Sequence, residues 1–154
     1  MGHTVNSIFI EAPYDLVFDV SNDIEQWPQF FKNDYPYAKI VERVDNKIVF
    51  QLTNAENKTW TSWRLLFKDQ KFAYAERLDP LFPFLYMKLI WLYTPKNNGI
   101  EMTWIQHFQM DPTAPRNDEQ AEVFVNNHSR ENLKNFKEII EGLYKNSLEN
   151  KEAV

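Results

Sequence analysis

The stretch that decides the fold is IEMTWIQHFQM, residues 100–110. Met102, Trp104, Phe108 and Met110 recur at every second position, with Gln106 in phase among them. A period of two marks a strand with one covered face. Pro112 and Pro115 then mark a loop, and beyond it the period changes. Asn117-Asp118 offers a cap. Val125, Leu133, Phe136, Ile140 and Leu143 follow at helical spacing, which predicts one long helix over roughly 118–148. Such a helix is about 45 Å long by its rise per residue. A terminal helix of that length buries its apolar stripe by lying across a sheet.

Upstream of this stretch the chain supplies the sheet. Phe84–Tyr93 places Met87, Leu89, Trp91 and Tyr93 on one face. Further strands are predicted over Tyr37–Val44, Lys47–Asn54, Thr59–Lys68 and Lys71–Leu78. Asp45-Asn46, Asn54–Asn57, Asp69-Gln70 and Asn97-Asn98-Gly99 punctuate them as turns. Thr4–Ile10 reads as a first strand, ended by Ala12-Pro13. Pro13 suits a first helical position, and Leu16, Val17 and Val20 give a short amphipathic helix. Ser21-Asn22-Asp23 reads as the cap of a second short piece through Gln26, closed by Trp27-Pro28, with a loop around Asn33–Pro36. The expected fold is therefore α+β, one domain over 1–154. About seven antiparallel strands form a curved sheet wrapped around a long C-terminal helix, with two short helices after strand 1. This helix-grip arrangement leaves an interior cavity. Residues 1–3 and about 149–154 are expected to be flexible.

Composition narrows the chemistry. There is no Cys, which excludes disulfides, thiolate metal sites and Cys nucleophiles. The net charge of -5 comes without any Lys/Arg cluster, so no nucleic-acid partner is expected. No apolar run reaches the length of a membrane span, and no signal-peptide pattern opens the chain. These features read as a soluble, cytoplasmic protein. With 3 Gly, phosphate-cradling Gly-rich loops are absent. The aromatic share is 16%, which fits either a dense core or a concave pocket walled by rings. Composition leaves both open.

Few side chains suggest catalysis on their own. His3 sits at the terminus. His107 is out of phase with Trp104, Gln106 and Phe108 and is expected outside the sheet. His128, on the long helix, is expected at a solvated position, with an inward one as the alternative. No metal-ligand spacing or nucleophile elbow occurs, so neither metal nor cofactor is expected. Gln106, on an apolar face, either bonds core backbone or points into a wet cavity. In Trp60-Thr61-Ser62-Trp63-Arg64 one face holds Trp60, Ser62, Arg64 and Leu66, and the other Thr61, Trp63, Leu65 and Phe67. Periodicity alone buries the second face and turns Arg64 to solvent.

A resemblance reverses that orientation. Asn6-Ser7-Ile8, Ala12-Pro13, Val17, Asp19-Val20 and Asn22-Asp23-Ile24-Glu25 with Trp27-Pro28 resemble the start of single-domain aromatic polyketide aromatase/cyclases of the tetracenomycin type. These belong to the START-like helix-grip superfamily. The W-x-S-x-R pattern of Trp60, Ser62 and Arg64 is similar to that family's strand. So are Tyr86-Met87 with Leu89 and Trp91, and the run Glu101-Met102, Trp104, Gln106, Phe108, Met110, Pro112 and Ala114-Pro115. Ser129-Arg130, Asn132 and Ile139-Ile140-Glu141 stand in like positions on the final helix.

The resemblance implies a pocket in which an acyl carrier protein of a type II polyketide synthase presents a poly-β-ketone chain. First-ring aldol closure, dehydration and aromatisation follow there. It implies Arg64 as the central catalytic arginine and Tyr35 as the pocket tyrosine, with one residue inserted in the loop before it. Trp27, Trp60, Ser62, Met87, Trp91, Gln106 and Asn132 would line the pocket. Where some members carry a His one turn before the Ser/Thr-Arg pair, this chain has Phe124. The loop Pro80–Phe84 is more apolar than the family pattern. The alternative is a carrier of the same fold that holds a lipid, sterol or aromatic ligand without catalysis.

Overall fold

A computed structural model describes residues 1–31, 34–78 and 81–152. The elements are β1 (Gly2–Ile10), α1 (Tyr14–Ser21), a 3-10 turn (Ile24–Gln26), α2 (Trp27–Phe30), β2 (Tyr37–Val44), β3 (Lys47–Thr53), β4 (Thr59–Phe67), β5 (Phe72–Arg77), β6 (Phe84–Lys96), β7 (Gly99–Met110) and α3 (Asp118–Glu152). Seven strands form one antiparallel sheet in the order β1-β7-β6-β5-β4-β3-β2. It is a meander from β2 to β7, with β1 returning to flank the last strand. The helix-grip architecture expected from the sequence is present. Asn33, Pro80 and residues 153–154, which fall in the two expected loops and the expected tail, lie outside the described residues.

The turns follow from local chemistry. Asp45-Asn46 joins β2 to β3 and Asn97-Asn98 joins β6 to β7. Asp45 (φ 52°) and Asn97 (φ 47°) adopt the left-handed region that Asp and Asn tolerate. At Gly99 a Cβ would lie 2.2 Å from the Ile10 carbonyl oxygen, so glycine lets β1 close against this turn.

α3 starts with a reciprocal cap. Asn117 Oδ1 accepts from the Gln120 backbone N–H, and Gln120 Oε1 accepts from that of Asn117, each at 2.9 Å. The helix runs to Glu152 rather than stopping near Leu148. Val125, Leu133, Phe136 and Ile140 are buried as expected, but Leu143 is exposed. The row facing the core steps by four from Phe136 to Ile140 to Tyr144, and Tyr144 packs there instead.

Three local expectations near the N-terminus are corrected. Pro13 is the extended cap residue of α1 rather than its first helical residue. Trp27-Pro28 opens α2 rather than closing a helix, because Pro is tolerated in a first turn. Ser21 and Asn22 do not cap the 3-10 turn; their side chains are buried and bond elsewhere.

Two apolar clusters form under α3. One gathers Phe136 with Phe31, Trp91, Trp104 and residues of α1 and β3. The other joins Met87, Phe108 and Met110 to Ala121 and Val125. Along α3, His128, Ser129 and Asn132 fall between Val125 and Leu133, where the buried stripe turns polar.

Candidate functional site

A cavity of about 100 Å³ opens between the sheet and this polar segment of α3. Its walls come from α2 and the following loop (Trp27, Phe31, Tyr35), from β3 to β7, and from His128, Ser129 and Asn132. That volume is of the order of the roughly 150 Å³ cavity that admits a benzene ring.

Arg64 stands in this cavity and is 2% exposed, so the inward orientation implied by the resemblance holds and the one drawn from periodicity does not. The reason lies in cover. α1 and α3 enclose the concave face of the sheet, whereas the convex face, with half-buried Thr61, Trp63 and Leu65, is open. Arg64 pairs in register with Ala75 on β5, whose small side chain is also buried in the cavity wall. The guanidinium lies 4.1 Å from the Trp91 ring centre and 5.5 Å from that of Trp27. Trp91 stacks on Trp104 at 4.3 Å and 8°. The cation thus caps a two-indole stack, a placement favoured by the ring quadrupole.

Arg64 Nη1 donates to Asn22 Oδ1 at 2.9 Å. Asn22 Nδ2 donates to Tyr93 Oη at 3.0 Å and to the Phe18 carbonyl at 2.9 Å, and Tyr93 Oη lies 2.7 Å from Ser21 Oγ. Among the described residues no carboxylate pairs with Arg64. Burial lowers its pKa to about 10, with Tyr93 opposing, so the group stays cationic near neutral pH. Burial likewise pushes the Tyr93 phenol up to about 12.

Four buried polar side-chain atoms have no hydrogen-bond partner within the protein among the described residues: Arg64 Nε, Trp91 Nε1, Trp104 Nε1 and Asn132 Oδ1. All four belong to residues that line the cavity. A buried donor without a partner costs about 1–3 kcal/mol. The cavity wall is thus built from residues whose polar atoms the protein itself does not fully satisfy.

The other residues expected at the site divide. Trp27, Trp60, Ser62, Trp91, Gln106, Asn132 and Tyr35 all line the cavity with Arg64. Met87 does not; it is buried in the cluster with Phe108 and Val125. Gln106 Oε1 accepts from Thr4 Oγ1 at 3.0 Å and from Ser129 Oγ at 2.9 Å, which fixes its amide against the cavity wall. Tyr35 sits edge-on to Trp60 at 6.1 Å, and burial raises its pKa. His107 is on the outer face, where its Nδ1 lies 3.3 Å from that of His3.

Two cavity residues were not singled out or not settled by the sequence. Arg77, the last residue of β5, faces the cavity with its guanidinium 4.4 Å from the Trp60 ring centre and 5.1 Å from that of Phe84. Burial lowers its pKa too. The signal was available: Arg77 shares parity with Ala73 and Ala75, small residues that mark a face on which something must fit. His128 reaches the cavity, with Nε2 3.5 Å from Asp34 and its ring stacked at 5.6 Å on Phe124. The solvated position expected for His128 is therefore corrected: it is half-buried and lines the cavity.

Comparison with known proteins agrees with this geometry. Residues 1–141 match the family model described as polyketide cyclase / dehydrase and lipid transport. A "Putative polyketide cyclase" of Streptomyces cyaneus is 36% identical over 133 residues, covering 83% of this chain and 86% of that protein. Another, of Streptomyces halstedii, is 38% identical over 110 residues, covering 68% and 98%. The crystal structure of the Zhui aromatase/cyclase from Streptomyces sp. R1128 superposes with a TM-score of 0.77 at 17% identity, covering 95% of this chain and 94% of that one.

Proposed function

This chain belongs to the polyketide cyclase / dehydrase and lipid transport family, and on that premise we propose that it is an aromatase/cyclase. Its substrate is a poly-β-ketone held on an acyl carrier protein, and its reaction is closure and aromatisation of the first ring. The observation that carries the reading is the buried Arg64 guanidinium, without a carboxylate partner among the described residues, in the wall of a cavity lined by aromatic rings.

The chemistry follows from that environment. A methylene between two carbonyls gives up a proton, and the resulting carbanion attacks a distant carbonyl carbon. A C–H bond breaks, a C–C bond forms, and charge moves onto the carbonyl oxygen. Arg64, cationic at neutral pH, stabilises that oxygen, and such preorganised donors are worth about 2.7–4 kcal/mol each. An arginine is a poor general base, so substrate acidity and water carry the proton traffic. Tyr35, held protonated by burial, donates to the same region. Loss of the new hydroxyl with a neighbouring C–H proton releases one water, and enolisation of the remaining ring ketones, a proton shift from carbon to oxygen, completes the aromatic ring. The indoles and the fixed Gln106 amide restrict the chain to one register, an orientation effect that reaches roughly 7–11 kcal/mol in aligned systems.

The cavity holds a ring-sized segment, so it selects which atoms meet while the rest of the chain extends towards the carrier. A lipid carrier, the other activity in the family description, has no use for a desolvated guanidinium in its cavity wall. The test is co-expression of Arg64→Ala with a minimal polyketide synthase. A folded variant that yields misfolded shunt products supports the reading; an unchanged product distribution overturns it.

A further inference from the structure

We infer that Asn22 is the positioning residue for Arg64: a neutral amide that fixes the guanidinium in the cavity and leaves its whole charge for the reaction. The inference rests on the reading of Arg64 given above.

A buried arginine is ordinarily held by a carboxylate, which accepts its hydrogen bonds and cancels its charge. Here the partner of Nη1 is an amide oxygen, which does the first and not the second. Acidic residues flank Asn22 in sequence at Asp19 and Asp23, yet both are exposed, and Asp19 is held by Lys68 at 2.9 Å. The amide itself is constrained from behind. Its Nδ2 spends both protons, one on Tyr93 Oη and one on the Phe18 carbonyl at the end of α1. Because the NH2 end is committed to two acceptors, the carbonyl end can only face Arg64. Ser21 Oγ then fixes Tyr93 Oη from the other side. The chain Ser21–Tyr93–Asn22–Arg64 therefore ties the guanidinium to the end of α1 without a single negative charge. Nε is left without a protein partner. A carboxylate at position 22 keeps an acceptor for Arg64 but adds a charge and gives up both Nδ2 donations; Asn22→Ala gives up the same donations without adding charge, so comparing the two variants isolates the charge.

The experiment uses benzoate and benzamide, which match in shape and differ in charge, titrated against quenching of the cavity tryptophans. The wild type prefers benzoate. Asn22→Asp lowers that preference at least tenfold relative to Asn22→Ala, while the benzamide affinities of the two variants agree within about twofold, as expected for a compensating charge between buried groups. Asn22→Ala leaves the charge in place but loosens it: both ligands weaken and the preference survives. Product distribution with a minimal polyketide synthase gives a second readout. Asn22→Asp matches Arg64→Met, and Asn22→Ala gives mixed products even if the Asp variant does not fold. If benzoate preference is absent in the wild type, or is undiminished in Arg64→Met so that Arg77, the other guanidinium of the cavity, accounts for all of it, the reading of Arg64 itself is overturned. If Arg64→Met abolishes the preference and Asn22→Asp retains it, or Asn22→Ala cyclises like the wild type, the Asn22 inference alone is overturned.

Discussion

On the concave face β4 carries Trp60, Ser62 and Arg64; on the convex face it carries Thr61, Trp63 and Leu65. The first set contains the charge and is buried, and the second is more apolar and is half-exposed. Burial in this sheet is set by what covers a face, not by the hydrophobicity of its side chains. α3 covers the concave side, so a cation goes under the roof. The convex rings shelter one another instead, as Phe67 and Phe72 do at 4.5 Å. A charge placed where an apolar residue would be more stable is what the proposed function requires of the concave face.

The largest test removes the roof. Phe136 is fully buried and meets Phe31 edge-on at 4.8 Å and both Trp91 and Trp104 at 5.9 Å. Phe136→Ala is expected to cost about 3–5 kcal/mol in urea unfolding. It should also abolish cyclisation, because the indole stack that carries Arg64 loses its support.

Next comes the charge itself. Arg64→Met keeps bulk on the concave face and removes the cation. Catalytic rate is expected to fall by about 10²–10³, the effect of losing one oxyanion donor. Stability should change by less than about 1 kcal/mol. The relief of a desolvated charge offsets the acceptor that Asn22 is left holding. Rate measurements beside thermal melts check the split; a large loss of stability would make Arg64 a structural group and erase the contrast between the faces.

Alkaline titration sharpens the comparison further, through Tyr93 and Arg64 on the concave side. Tyr93 in the fold titrates at about 12 against an ordinary value of 10.0. Its contribution to stability is complete below about pH 10 and is lost as pH rises towards 12, because the unfolded chain gives up the proton first. Arg64 runs the other way. Its folded value of about 10 lies below the ordinary 12.5, so the penalty for burying its charge is present below pH 10 and fades above it. Urea unfolding from about pH 9 to about pH 12 should therefore decline more steeply in Arg64→Met than in the wild type. In Tyr93→Phe the decline should be shallower, each by about 2 kcal/mol.

These contrasts explain which parts of the molecule were legible in the sequence. Strands, turns and the long helix were, because periodicity and turn residues are local signals; Asp45-Asn46 and Asn97-Asn98 fall where their chemistry put them. The inward Arg64 was legible only by family resemblance. A period of two says that two faces differ, not which one a distant helix will cover. Ser21 and Asn22 look like a helix cap and instead hold Tyr93 and Arg64, partners far away in sequence. Met87 shares parity with Trp91, yet it sits far enough along β6 to pack under Val125 rather than beside the cavity.

The smallest effect belongs to the convex face. Trp63 has its ring 5.5 Å from Tyr74 and carries the Lys47 ammonium at 5.6 Å, all on the open side of the sheet. Trp63→Thr keeps a β-branched residue in the strand and gives up one cross-strand aromatic pair, worth about 0.2–1 kcal/mol. Urea unfolding should register that loss and no more. Co-expression with a minimal polyketide synthase should give the wild-type product distribution, because Trp63 and Arg64 are adjacent in sequence but separated by the sheet. A changed product would mean that the convex face shapes the cavity through the strand. The two faces of β4 would then have to be treated as one device rather than as a site and its solvated back.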